Sequence, residues 1–162
     1  MKKWLIVILV FMMIYFIFIK VMETSPQDTI DFYEEKWGIK LPLPDEINDV
    51  HSSELSFNGD GEWFTIFTYT KDNGEIEKSG MVPIAAANIG NANYKIEKFI
   101  ATTLEIYMDE ESTELKKKFD QYPVKAELGD YYFYKAKNGG NDYFIAVYKQ
   151  HEQKLYIFEW HQ

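Results

Sequence analysis

Apolar residues fall along this chain with three different spacings, and each spacing predicts a different kind of element. From Trp4 to Ile19 they run unbroken for 16 residues, and Val21 and Met22 extend the run past Lys20. At the helical rise this stretch covers about 24–28 Å against a hydrocarbon core of about 30 Å, which predicts a membrane-spanning helix with the Lys20 stem snorkelling outward. Its exit, Ile19-Lys20-Val21-Met22-Glu23-Thr24-Ser25, lacks the small residues of a signal-peptide cleavage site. Residues 1–22 are therefore expected to form a retained anchor, with lipid contacts through residues 4–22 and one domain over 23–162. Lys2 and Lys3 precede the run and only Lys20 follows closely, so the N-terminus is expected in the cytoplasm and the domain outside the cell.

Spacings of three and four residues come next. Ser25-Pro26 has a hydroxyl for an N-cap and Pro for the first turn, and Ile30, Tyr33 and Trp37 follow at helical spacing until Gly38. A helix over about Gln27–Trp37 is expected. In LPLPDE each Pro keeps its predecessor extended, so Leu41 and Leu43 are expected to dock on the core from a non-helical strap. Farther along, Ile96, Phe99, Ile100, Thr103, Leu104 and Tyr107 share one face of a helix over Tyr94–Met108. A shorter helix over Thr113–Phe119 has Asp109, Glu110 and Glu111 before it and Lys116, Lys117 and Lys118 near its end, matching the helix dipole at both ends. The stretch MVPIAAANIGNAN fits no regular element and reads as a loop.

Alternation marks the strands. In HSSELSFNGDGEWFTIFTYT two alternating stretches flank Asn58-Gly59-Asp60-Gly61, the strongest hairpin signal in the chain, with Gly59 and Gly61 expected at positive φ. Trp63, Phe64, Ile66, Phe67 and Tyr69 put apolar side chains on both faces of the second stretch, as in a central strand, and Lys71-Asp72-Asn73-Gly74 closes the unit. DYYFYKAK, DYFIAVYK and KLYIFEW, separated by turns at Asn138–Asn141 and around His151, form a three-stranded meander. The fold class expected is α+β, an antiparallel sheet of about five strands with helices packed on one face.

Charge and composition narrow the function. All 17 basic residues are Lys; with Lys2 and Lys3 set aside, 15 lysines face 26 acids, a balance of −11. Nucleic acid is not expected as a partner for so acidic a domain, since phosphate binding needs a basic footprint. The absence of Cys excludes disulfides, thiolate metal sites, cysteine nucleophiles and lipidation of an N-terminal cysteine.

Motif chemistry is sparse. There is no Walker loop, G-x-G-x-x-G turn, H-E-x-x-H or G-x-S-x-G, so no cofactor and no metal is expected. Ser56, Asn58 and Asp60 imitate the start of a calcium loop, but the twelfth position would be Phe67, where a bidentate carboxylate is required. His51, His151 and His161 lack ligand spacing and read as surface histidines without a role. The acidic pairs Glu34-Glu35, Asp109-Glu110-Glu111 and Asp60 with Glu62 read first as solvated charge and capping, although any pair meeting in a cleft could do acid/base work. The aromatic meander is the more informative feature. Alternation assigns one set of its side chains to a core and leaves the other either under helices or exposed as a binding face. Candidate binding residues are Asp60 and Glu62 of the hairpin with Trp63, Tyr132, Tyr134, Tyr148, Tyr156 and Trp160.

Three patches, FYEEKWGIKLPLP, FNGDGEWFTIFTY and GDYYFYKAKNGGNDYFIAVYKQHEQKLYIFEW, resemble small uncharacterised membrane-anchored proteins of Gram-positive bacteria with a G-D-G-E hairpin. More loosely, an anchor with an acidic outer domain is similar to membrane-bound toxin-immunity proteins of the TipC type. That likeness implies a role and no particular residues. The expected function is a single-pass membrane protein whose outer domain binds another protein at the membrane surface, with toxin immunity or inhibition as its most concrete form. The alternatives are an envelope hydrolase or transferase using carboxylates, and an accessory subunit of a membrane complex.

Overall fold

The computed structural model describes residues 25–53, 60–70 and 74–162. The expected anchor over residues 4–22, the turn residues Asn58 and Gly59, and Lys71 to Asn73 lie outside the described residues. Among the described residues no helix is long and apolar enough to cross a membrane.

Helix α1 (Pro26–Trp37) has the ends its sequence calls for. Ser25 accepts from the Asp28 amide while the Asp28 carboxylate accepts from the Ser25 amide, and Gly38 stops the helix at φ +72° with its N–H on the Glu34 carbonyl. Strands β1 (Glu46–Ser52) and β2 (Gly61–Thr68) form an antiparallel pair, but β1 lies mainly ahead of His51, where the stretch expected to supply it begins. The two-residue strand β3 (Val82–Pro83) and helix α2 (Ile89–Ile106) both begin inside the stretch read as a loop. Its small residues hid the start of a helix that buries Ala92 against the sheet. Helix α3 (Asp109–Gln121) is longer than expected, taking its three leading acids into its first turn. The meander is as predicted: β4 (Tyr131–Lys137), β5 (Asp142–Lys149) and β6 (Lys154–His161), all antiparallel.

These six strands make one sheet in the order β1-β2-β6-β5-β4-β3, one more than the five expected because β3 pairs with β4. β2 is central between β1 and β6. The expectation that helices pack on one face is corrected. α2 and α3 cover one face through Phe99, Leu115 and Phe119, set against Phe64, Ile145 and Phe158. α1 and the following strap cover the other, where Tyr33, Trp37, Ile39 and Leu41 meet Phe67, Phe144, Leu155 and Ile157. The alternating positions of β2, β5 and β6 are apolar in both phases, and the sheet therefore needs a cover on each side. Leu43, expected to dock, is instead exposed, while Leu41, Pro42 and Pro44 of the strap are buried.

The direction of α1 follows from its contacts. Trp37 and Lys36 lie beside Glu159 and beneath Lys135 and Lys137, at the end of the sheet where β6 finishes. One turn earlier Tyr33 packs on Phe67 and Phe144, and Phe67 is opposite Leu155 near the start of β6. The N-terminus of α1 thus points to the end of the sheet where β1, β4 and β6 start. Its C-terminus reaches the end where β1 stops and β2 starts.

Candidate functional site

At that second end, on the α2/α3 side, the secondary-structure elements leave a groove of about 780 Å³. Its walls come from the end of β1, the start of β2, the end of β6, the α2–α3 junction and the first half of α3. Glu62 sits at its base. Although Glu62 is buried, its carboxylate accepts from the Tyr107 hydroxyl at 2.5 Å and faces His51 Nε2 at 3.2 Å. Burial pushes the Glu62 carboxyl up, but the hydrogen bonds from His51 and Tyr107 and the attraction of His51 outweigh it and hold the group below the ordinary carboxyl range. Burial raises the Tyr107 phenol, and the bond to Glu62 adds to that. The arrangement is thus a charged carboxylate with neutral phenol beside it.

A β-bulge brings these groups together. Asp49 pairs with Thr65 and His51 with Phe64, which leaves Val50 as the extra residue of β1. Strict alternation from Asp49, on the α1 side beside Thr65, would return His51 to that side. The inserted residue instead sets His51 opposite Phe64 and next to Glu62, on the α2/α3 side. At the mouth of the hairpin the Glu62 amide donates to Ser53 Oγ at 2.8 Å. Gly61 is required there for closeness, since a Cβ would come within 2.6 Å of both Ser53 Oγ and the Trp63 ring. The positive φ expected for it is not observed.

The rest of the lining is unevenly charged. Asp60, Glu111 and Glu114 join Glu62, with Lys118 as the one lining lysine among the described residues, and Ile106 and Trp160 supply apolar surface. Glu114 also pairs with Lys117 at 2.6 Å. No group of three His, Asp or Glu residues disposed to hold a metal ion occurs among the described residues.

Of the eight residues picked from the sequence, Asp60, Glu62 and Trp160 line this groove. Trp63 points to the opposite face, tilted against His161 at 5.4 Å. Tyr132 and Tyr156 are buried in the α2/α3-side core, and Tyr148 is buried on the α1 side. Tyr134 is half-buried, with Lys95 Nζ 4.2 Å above its ring. The aromatic set left over by the core is thus under a helix, not in solvent. His51, Tyr107, Glu111 and Glu114 were missed as members of one site. In the sequence they fall in separate segments, His51 11 positions before Glu62 and Tyr107 45 positions after it.

The histidines also need correction. His51 and His161 are nearly buried and each meets a glutamate, while His151 is exposed as expected. Comparison of the chain with family models, with curated proteins and with solved structures finds no match in any of the three.

Proposed function

We propose that this protein is a membrane-anchored, extracytoplasmic binding protein, with toxin immunity or inhibition as its most concrete form, and that the groove at Glu62 is its binding site. The observation that carries this reading is the groove itself, a large concavity among the described residues of a domain whose sheet faces are covered by helices. Its place in the fold supports the reading further. The apolar run ends at Met22, three residues before Ser25, which caps the N-terminus of α1. The groove is at the opposite end of the sheet and on the opposite face, separated by at least the length of a 12-residue helix, about 18 Å. An anchor joined at Ser25 leaves the groove open to the side away from the bilayer.

The carboxylate-hydrolase alternative asks for a carboxyl raised toward neutrality so that it can give a proton. Glu62, the buried carboxylate of the groove, is shifted the other way and is already engaged by two donors of its own fold. Protease treatment of intact cells tests the topology: cleavage of the domain from outside is expected, and full protection would reverse it. Survival of cells co-expressing secreted toxins, together with retention of the toxin on the full chain, tests the role. Neither rescue nor retention with any toxin encoded nearby would refute the immunity form.

A further inference from the structure

We infer that the occupant of the groove is a basic segment of a soluble protein, bearing lysine or arginine side chains next to an aliphatic or aromatic one; this rests on the binding role proposed above. The charge of the lining is the first argument. Among the described residues four carboxylates and one ammonium line the cavity, and the domain as a whole is strongly acidic. Glu111 and Glu114 are both exposed on α3, in reach of a ligand. The Lys117 partner of Glu114 is an exposed ion pair of little worth, readily exchanged for a ligand cation.

The second argument is apolar. Ile106 is 51% exposed where it lines the groove, and Met108, two residues on, is 78% exposed at the same helix junction. A purely cationic small molecule would leave Ile106 in water. A segment with an apolar anchor among basic residues covers it while its cations meet the exposed Glu111 and Glu114, the pattern in which a buried anchor gives affinity and surrounding charge gives rate and selectivity. Anionic lipid headgroups are opposed by the same carboxylates.

Binding is measured on the full chain in zwitterionic nanodiscs, with empty nanodiscs as control. Three labelled peptides of equal length serve as probes: one of Lys and Leu, one of Lys and Ser, one of Glu and Leu. The Lys–Leu peptide is expected to bind best, to lose about tenfold in affinity in the Glu111→Lys/Glu114→Lys variant, and to weaken with salt. Ile106→Ser is expected to erase its advantage over the Lys–Ser peptide. Circular dichroism checks that both variants, changed at exposed positions, remain folded. Equal affinity for the Glu–Leu peptide, or no loss in the double variant, overturns the inference.

A photo-crosslinking residue in place of Ile106, used in cells, separates this inference from the binding role. A captured protein whose attached segment is net positive with an apolar residue supports the inference. An attached acidic or neutral segment overturns it and leaves the binding role standing. The absence of both a cross-linked protein and peptide binding overturns the two together.

Discussion

Two glutamates on neighbouring strands, Glu62 on β2 and Glu159 on β6, solve the same problem on opposite faces of the sheet and end with different roles. Glu62 is opposite Trp160 and Glu159 opposite Trp63, one rung apart. Their side chains are equally withdrawn from solvent, at 6% exposure each. Each meets a histidine and an aromatic donor at the C-terminal end of a helix: His51 and Tyr107 for Glu62, His161 and the Trp37 indole for Glu159. Burial pushes both carboxyls up, and their donors more than reverse it, with Lys36 adding to the effect on Glu159.

The difference is what lies beyond the donors. Trp37 stacks on Phe144 and His161, so Glu159 is sealed beneath α1 and acts as a clip for that helix. Beyond Tyr107 and His51 there is a groove, so Glu62 presents its charge to whatever enters. A buried, paired carboxylate is thus no sign of function by itself. Its access decides.

This contrast can be broken most severely at the clip. Trp37→Ala, at a fully buried indole, is expected to cost about 3–5 kcal/mol in urea unfolding and to release α1. Glu159→Ala strips the Trp37 N–H and Lys36 of their acceptor and should cost about 3 kcal/mol. A smaller loss than for Glu62→Ala would invert the assignment of clip and site.

Acid titration sharpens it next. Both carboxyls are lowered in the folded state, so the unfolded chain takes up the protons first. The stability they contribute is present above the ordinary carboxyl value of 4.5 and is lost as pH falls through the folded values. Wild type should therefore lose its advantage over Glu159→Gln and over Glu62→Gln on the acid side and keep it at neutral pH. An advantage that grows as pH falls below the ordinary carboxyl value would contradict the direction of both shifts.

At the site the effects on stability are smaller. Glu62→Gln keeps an acceptor for Tyr107 and should cost only about 1 kcal/mol, while weakening capture of a basic ligand. Tyr107→Phe should cost a similar or lesser amount, about 0.5–1.5 kcal/mol, and move the Glu62 carboxyl back up toward its ordinary value in a carboxyl NMR titration. No movement would mean that His51 alone holds the charge.

Local chemistry was legible wherever neighbours in the sequence are neighbours in space. Ser25-Pro26 and Gly38 bound α1, the alternation of β4, β5 and β6 makes the meander, and the apolar faces of β2 identify a central strand. Those features depend on hydrogen bonds and periodicities within a few residues. Of the candidate site, Asp60, Glu62 and Trp160 could be named because a turn and an aromatic strand stand out in one dimension.

What alternation leaves open is which cover each face receives. The Tyr and Trp side chains of the meander fit solvent, partner or helix equally well in a period-two pattern, and only the packing of α1 on one face and of α2 and α3 on the other decided that most of them are buried. The chance meeting of His51, Glu62 and Tyr107 likewise needed tertiary structure. It depends on one extra residue in β1, which reverses the side of everything after it, and on where α2 ends above the sheet. Sequence by itself determined most of the elements and the acidic charge that a partner must answer; the register and the packing decided that this charge opens into a groove, because burial and access are properties of neighbours distant in the chain.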